Sequence, residues 1–275
     1  MEKVIEISDA SFVYGQQMVW HSLNIDIFKG ELLCLLGANG CGKTTLLNCM
    51  HGDMHLEKGS ILLNGQKIET MQITSIAKKI GVVFQEHTTP FPYSVFDVVL
   101  MGRAPHLGMF ESPSGEDRTI TLNSLKTMGV FELKDKPYTE ISGGERQLVL
   151  IARTLTQEPE VILLDEPTSF LDFKNQALVL GMIRKLTQHG LTIVMTSHFP
   201  NHALMCADRV ALMNGKTLSE VGETHEIMTE KNLKKTYGIG VKILSVNDPE
   251  EDKVYKFCMP CVKKECICEL TEQFE

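Results

Sequence analysis

The sequence lacks three features that would each point to a different class of protein. No apolar run approaches the roughly 20 residues that a membrane-spanning helix needs, and the start of the chain, Met1-Glu2-Lys3-Val4, does not resemble a secretory signal peptide. Positive charge is not in excess, because 27 Lys and Arg stand against 35 Asp and Glu, a formal net charge of -8. Binding to nucleic acid phosphates requires a basic surface. We therefore expect a cytoplasmic protein that has no nucleic acid partner.

The composition is that of a globular protein with an unusual distribution of cysteine. Hydrophobic residues make up 43% of the 275 residues and charged residues 23%, which suits one large α/β domain or a domain with an insertion and a tail. Four of the eight cysteines are scattered, and in a cytoplasmic protein we expect them to be reduced. The other four crowd the end of the chain: Cys258, Cys261, Cys266 and Cys268. This density is typical of a Zn²⁺ or iron–sulfur site, but the spacing matches no standard site, so a cysteine-rich tail without metal stays open.

A glycine-rich segment near residue 40 predicts a phosphate-binding loop. An apolar run, Leu32 to Leu36, reads as a buried parallel strand before it, and a helix begins at about Thr44. Backbone N–H groups of such a loop, together with the helix N-terminus, form an anion site. The segment fits Gly-x4-Gly-Lys-[Ser/Thr] and consists of Gly37, Ala38, Asn39, Gly40, Cys41, Gly42, Lys43, Thr44 and Thr45.

Three side chains of this loop receive specific expectations. Lys43 would reach the β- and γ-phosphates of a nucleotide, and the Thr44 hydroxyl would ligate Mg²⁺. The thiol of Cys41 would have a lowered pKa, because it lies beside a helix N-terminus and Lys43.

Two acids, Asp165 and Glu166, follow the apolar run from Val161 to Leu164. In a parallel sheet, ligands bind beyond the carboxyl ends of the strands, so both acids would emerge near the phosphates. We expect Asp165 to hold Mg²⁺ and Glu166 to orient and activate the attacking water.

A third motif runs from Ile141 to Gln147 and contains Ser142, Gly143, Gly144 and Glu145. Ser142 can cap the following helix, and the glycines leave its N–H groups uncovered, which makes a second anion site. Ser142-x-x-Glu145 also reads as a capping box, so we expect Glu145 to bond back to the cap. With the phosphate-binding loop and the acid pair, this motif resembles the signature of ATP-binding cassette (ABC) ATPases.

The resemblance extends over residues 1 to about 236 and implies roles for further residues. Tyr14 corresponds to the aromatic residue that stacks on adenine. Gln85 corresponds to the glutamine that contacts Mg²⁺ and the attacking water, and His198 to the switch histidine that contacts the γ-phosphate. Asp172 ends the segment from Ser169 that matches the loop crossing to the other subunit.

Family membership implies an α/β fold of the P-loop NTPase (RecA-like) type, with an antiparallel β subdomain and an inserted helical subdomain. It implies two chains packed head to tail, with each ATP between the phosphate-binding loop of one chain and the signature of the other. We expect residues 1–236 to form the ATPase domain, with the helical subdomain at about 86–150. Residues 237–275 would form a C-terminal extension with a β-hairpin and the cysteine cluster.

The segment from Val98 to His106 resembles importers of the iron–chelate, haem and cobalamin type, whose oxyanion relatives, such as those for molybdate, share much of it. The resemblance implies a chain at the inner face of the cell membrane, bound to integral membrane permease subunits and, through them, to an extracytoplasmic substrate-binding protein. A soluble ABC ATPase without a transport role is the alternative. The transported substrate is selected by the other subunits and cannot be read from this chain.

Overall fold

A computed structural model describes residues 2–84, 92–249 and 253–261 of the chain. The strands are β1 (Lys3–Tyr14), β2 (Gln17–Phe28), β3 (Leu32–Gly37), β4 (Lys58–Leu63), β5 (Gln66–Lys67), β6 (Ile80–Val83), β7 (Val161–Leu164), β8 (Thr192–Ser197), β9 (Arg209–Asn214), β10 (Thr217–Glu223), β11 (Val241–Asp248) and β12 (Lys253–Pro260). The α-helices are α1 (Lys43–Met50), α2 (Ile73–Lys79), α3 (Val95–Leu100), α4 (Gly115–Thr127), α5 (Gly143–Thr156), α6 (Phe173–Gln188), α7 (Pro200–Cys206), α8 (Thr224–Ile227) and α9 (Glu230–Tyr237). Short 3₁₀ helices cover Ile68–Thr70, Met101–His106, Phe131–Leu133 and Tyr138–Glu140.

A six-stranded sheet forms the centre of the molecule, in the order β10-β9-β3-β8-β7-β6. The pairs from β9 to β6 are parallel, and β10 adds an antiparallel edge. Every residue of β3, β7 and β8 is buried, because helices and the second sheet cover both faces. The predicted α/β fold of the P-loop NTPase type is confirmed.

The second sheet is antiparallel, with the order β2-β1-β4-β5. Its apolar residues pack on α1 and on one side of the central sheet, around the fully buried Trp20. The strand that precedes the phosphate-binding loop therefore lies between two packed layers. This rigid surrounding fixes the direction in which the loop leaves the sheet.

Helices α3 and α4 pack against α5 in the region where the sequence predicts a helical insertion. The segment from Val98 to His106 continues from α3 into a 3₁₀ helix that carries the buried Arg103. The Arg103 guanidinium lies 2.7 Å from a carboxylate oxygen of Asp117 and 2.7 Å from one of Glu158. In this chain the segment thus joins the helical region to the end of α5.

The C-terminal part begins with α9 and continues as a hairpin of β11 and β12, in which Val246 pairs with Tyr255. Both strands follow residue 236, while the division of the chain into domains at that residue stays a prediction. No helix in the described ranges is long and apolar enough to span a membrane.

Candidate functional site

The phosphate-binding loop connects the end of β3 to the start of α1, and its backbone requires glycine at residue 42. Gly42 has a φ of +93°, and a Cβ atom there would lie 2.7 Å from Val19 Cγ1 and 2.7 Å from Trp20 Cδ1. Any larger residue would combine backbone strain with a collision against the antiparallel sheet. The loop is therefore shaped by the sheet packed beneath it.

A cleft of about 740 Å³ opens above this loop. Eight of its 17 lining residues belong to the predicted loop, and they are joined by Tyr14 at the end of β1 and by Glu166 after β7. Tyr14 is 51% exposed, so its ring is accessible to a ligand. The lining residues are Tyr14, Gln17, Met18, Val19, Ala38, Asn39, Gly40, Cys41, Gly42, Lys43, Thr44, Thr45, Glu166, Asn214, Gly215, Lys216 and Thr236.

Lys43 is the buried cation of the cleft, with 5% of its side chain exposed. Its ammonium group donates to the carbonyl oxygens of Gly37 at 3.0 Å and Ala38 at 3.1 Å, and it lies 3.8 Å from Glu166 Oε1. The ammonium group can bind an anionic ligand in the cleft through charge-assisted hydrogen bonds.

The structure brings Thr44 and Asp165 into contact. The Thr44 hydroxyl donates to Asp165 Oδ2 at 2.8 Å, and the Thr196 hydroxyl donates to Asp165 Oδ1 at 2.7 Å. One hydroxyl and one carboxylate are hard oxygen donors, which suit Mg²⁺ because this ion keeps several waters and needs few protein ligands. These two side chains fit a magnesium ion and would hold it.

Glu166 lies beside His198 at the carboxyl end of β7. Its Oε2 accepts from the Ser169 hydroxyl at 2.9 Å and lies 3.1 Å from His198 Nδ1. Burial opposes ionisation of Glu166, but the bonds from Ser169 and His198 outweigh it and lower the pKa of this carboxyl. Glu166 is therefore ionised at neutral pH and can accept a proton or a hydrogen bond from water. Its backbone is in the left-handed region, with φ +45°, a conformation that turns the chain sharply after the strand.

The predicted signature residues lie at the start of α5, and the capping box is present. Ser142 N–H donates to Glu145 Oε2 at 2.8 Å, and Glu145 N–H donates to the Ser142 hydroxyl at 3.3 Å. The Ser142 bonds lower the pKa of Glu145. Within the described part of the chain, Ser142, Gly143, Gly144 and Glu145 do not line the cleft. The two predicted anion sites of one chain are thus separate.

Asp172 caps α6 by accepting from the N–H of Asn175 at 2.8 Å. Gln85 lies outside the described residues, so its expected contact with Mg²⁺ stays a prediction. Seven cleft residues do not appear among the predicted site residues, namely Gln17, Met18, Val19, Asn214, Gly215, Lys216 and Thr236. The turn Asn214-Gly215 is visible in the sequence, but nothing in the local pattern indicates that it faces a ligand.

The expectation of a lowered pKa for Cys41 is wrong. Burial raises the pKa of this thiol, and the opposing effect of Lys43 is smaller. Cys41 is only 8% exposed, so loss of hydration outweighs the nearby positive charge. Of the terminal cysteines, Cys258 and Cys261 are partly buried free thiols, whereas Cys266 and Cys268 lie outside the described residues.

Comparison with known proteins supports the motif reading. The family model described as ABC transporter matches residues 20–169. The chain is 39% identical over 235 residues to the molybdate import ATP-binding protein MolC of Haemophilus influenzae, covering 85% of this chain and 87% of that protein. It is 36% identical over 253 residues to the iron(3+)-hydroxamate import ATP-binding protein FhuC of Bacillus subtilis, covering 92% and 93%.

Among solved structures, an inward-facing metal-chelate type ABC transporter superposes on the chain with a TM-score of 0.86 at 34% identity. The superposition covers 96% of this chain and 100% of the transporter chain. It therefore includes most of the region that follows the ATPase motifs.

Proposed function

The chain belongs to the ABC transporter family, and from that membership we infer that it is the ATP-hydrolysing subunit of an importer for an iron or other metal chelate. ATP-binding subunits of this family hydrolyse ATP to drive transport. The observation that carries the proposal is the cleft lined by Lys43, Thr44 and Glu166, in which Thr44 bonds to Asp165 and Glu166 lies beside His198. This set supplies a cation for phosphate, ligands for Mg²⁺ and a base for water.

In the proposed mechanism, the loop N–H groups and Lys43 bind the β- and γ-phosphates, and Tyr14 stacks on the adenine. Thr44 and Asp165, together with Gln85, would hold Mg²⁺, which would neutralise phosphate charge when bound. Glu166 orients the attacking water and accepts its proton. His198 contacts the γ-phosphate and holds the Glu166 carboxylate at 3.1 Å.

The test of hydrolysis is Mg²⁺-dependent phosphate release by the purified chain. Glu166→Gln should keep ATP binding and lose turnover by a factor on the order of 10² to 10⁴, which is the usual contribution of a general base. The matched control is Glu160→Gln, because Glu160 precedes the other end of β7 and bonds to Asn64 and Lys79. Wild-type turnover in Glu166→Gln would remove Glu166 from its role.

We infer that the substrate is a metal chelate, because one relative is named for iron(3+)-hydroxamate and one structural neighbour for a metal chelate. The relative named for molybdate import supports an oxyanion as the alternative. Deletion of this subunit should abolish uptake of radiolabelled iron–hydroxamate and leave molybdate uptake intact. The reverse pattern would favour the oxyanion, and loss of neither would favour a soluble ATPase without a transport role.

The partners proposed for the chain are a second copy, packed head to tail through two ATP molecules, and integral membrane permease subunits that hold it at the inner face of the membrane. An extracytoplasmic substrate-binding protein would act on the same permease. Affinity purification from membranes should recover a permease with many spans. Recovery of soluble partners alone would contradict this assembly.

The terminal cysteine cluster is proposed to bind Zn²⁺ or an iron–sulfur cluster. The described residues contain no group of three or more His, Cys, Asp or Glu that could hold a metal ion, but two of the four cysteines lie beyond them. Metal analysis of the full chain, beside a variant with all four cysteines replaced by serine, tests the prediction. Equal metal content in the two proteins would refute it.

A further inference from the structure

The backbone of the switch histidine is bonded to a tyrosine of the C-terminal part. Tyr237, the last residue of α9, donates its hydroxyl proton to the carbonyl oxygen of His198 at 3.1 Å. The ring packs on the main hydrophobic core, and burial raises the pKa of Tyr237. The hydroxyl therefore stays a donor at every physiological pH.

A second link joins the hairpin to the helix that follows His198. Asn201, in the first turn of α7, accepts the N–H of Cys258 at 2.6 Å and donates to the Cys258 carbonyl at 3.2 Å. The Asn201 amide thus makes the two backbone hydrogen bonds that a neighbouring strand would make with Cys258 of β12. Cys258 and Ile243 also pack on the core at this end of the hairpin.

The short segment of His198 and Phe199, which joins β8 to α7, is also held by hydroxyl groups at the end of the central sheet. Ser197 accepts the N–H of Phe199 at 3.0 Å, and its hydroxyl lies 3.1 Å from Nδ1 of the buried His202. Thr168, in the turn after Glu166, lies 3.2 Å from the same nitrogen. These bonds fix the two ends of the segment, and the Tyr237 bond acts on the His198 peptide between them.

The end of α9 also reaches the nucleotide cleft. Thr236 lines the cleft, and Asn214 of the cleft donates to the carbonyl of Lys235 at 2.9 Å. Two consecutive residues, Thr236 and Tyr237, therefore contact the cleft and the His198 loop. A displacement of the C-terminal end of α9 would therefore change the cleft and the position of His198 together.

We propose that Tyr237 is a positioning residue for His198. We further propose that the C-terminal hairpin, through its bonds to Asn201, holds α7 and the segment of His198 and Phe199 in place. The proposal rests on the roles given to His198 and Glu166 under the proposed function. His198 acts at a distance of 3.1 Å from Glu166, and hydrogen bonds weaken steeply when donor and acceptor are displaced. Holding the His198 carbonyl keeps its imidazole at the reactive distance.

The first test is Tyr237→Phe, which removes one oxygen and keeps the buried ring. We expect kcat to fall about five-fold, the equivalent of one neutral hydrogen bond, while the KM for ATP stays close to wild type and the thermal midpoint falls by only about 2–4 °C, because one buried hydrogen bond is lost. Asn201→Ala should lower kcat in the same direction. The matched control is Tyr255→Phe on β12, a half-exposed tyrosine far along the hairpin, which should leave kcat unchanged.

The decisive readout is a double-mutant cycle measured in single turnover with excess enzyme, so that low rates remain measurable. If Tyr237 acts through His198, Tyr237→Phe should have no effect on the rate in a His198→Ala background. An additional five-fold loss in that background, or an unchanged kcat in the single variant, would overturn the proposal. Wild-type turnover in His198→Ala alone is a different failure, because it would remove His198 from the proposed mechanism itself.

Discussion

At the scale of single residues, two glycines of the phosphate-binding loop have the same backbone region and different surroundings. Gly40 has φ +78° with no atom within 4 Å of a Cβ position, whereas a Cβ on Gly42 would collide with Val19 and Trp20. Gly40→Ala should cost only the left-handed strain, about 1–2 kcal/mol. Gly42→Ala should cost roughly 1–3 kcal/mol more, because overpacking adds to the strain.

Urea unfolding of the nucleotide-free proteins measures this difference. Gly40→Ala is the matched control, since it makes the same chemical change in the same loop. Equal unfolding midpoints would show that the antiparallel sheet yields to the added methyl group, and the loop would then not owe its shape to that packing.

His202 makes the stability of the protein depend on pH. Burial, followed by the nearby His198, lowers the pKa of His202 from 6.5 to about 4. Between these values the unfolded chain binds a proton on this residue and the folded chain does not, so the free energy of unfolding falls as the pH is lowered through the range. The free energy of unfolding that His202 contributes at pH 7 is roughly 3 kcal/mol, and it is lost as the pH falls from 6.5 to below 4.

Chemical unfolding of wild type and His202→Gln at pH 7 and pH 4.5 checks this contribution. The variant should be less stable at pH 7 and should lose less stability on acidification. His225→Gln is the control, because His225 is an exposed histidine. The same acid-induced loss in wild type and His202→Gln would contradict the assignment.

At the scale of secondary-structure elements, two helices begin with a capping box, one outside the proposed signature and one within it. Ser114 and Asp117 start α4 with the bonds that Ser142 and Glu145 make at the start of α5. Ser114→Ala and Ser142→Ala should each destabilise the protein by about 1 kcal/mol, the usual cost of a lost cap. Only Ser142→Ala should reduce ATP turnover, because only that helix start belongs to the proposed signature.

Denaturant unfolding and ATPase assays on both variants separate the two effects. Equal losses of turnover would mean that the Ser142 effect is one of stability alone. Unchanged turnover in Ser142→Ala would remove its hydroxyl from the proposed nucleotide contact.

The elements that the sequence predicts well are those with strong apolar patterns. β3 and β7 are uninterrupted apolar runs, and α5 carries a cap and a core stripe, so their positions follow from burial and helical spacing. β10 is largely polar and lies at an edge, and α7 has seven residues that begin with a proline. Such short or edge elements give too little periodicity to be recognised from one sequence.

The residues of the candidate site also divide into those that can be predicted from the sequence and those that cannot. Lys43, Thr44, Asp165 and Glu166 can be located from the sequence because each follows a buried strand or belongs to a motif. Lys216 and Thr236 reach the cleft through the pairing of β9 with β10 and the packing of α9, which are tertiary facts. For Cys41, the sequence gives the neighbouring charge but not the burial, and burial decides the direction of its pKa.

At the scale of the whole molecule, the separation of the two predicted anion sites supports the proposed dimer. The cleft of one chain contains the phosphate-binding loop, and the described residues that line it exclude the signature. In the proposed head-to-tail dimer, the signature of a second chain would complete each site. Two copies related by a two-fold axis would form two identical composite sites.

Complementation between two inactive variants tests this arrangement. Lys43→Ala removes the phosphate cation from one chain, and Gly143→Asp places a carboxylate at the signature of the other. The Gly143→Asp variant should fold, because a Cβ on Gly143 would have only an ordinary contact with Leu171 at 3.8 Å. An acid is also favourable at a helix start. Gly144 is unsuitable, since a Cβ there would lie 2.4 Å from Asn175.

Each variant alone should be inactive, because both of its composite sites contain the defect. In an equal mixture, half of the dimers are mixed, and each mixed dimer has one site with an intact loop facing an intact signature. The mixture should therefore recover up to about a quarter of wild-type turnover if the sites act independently. A cleft completed by its own chain, or two chains facing loop to loop, would give no recovery at any mixing ratio, so recovery that peaks at equal amounts identifies the head-to-tail dimer.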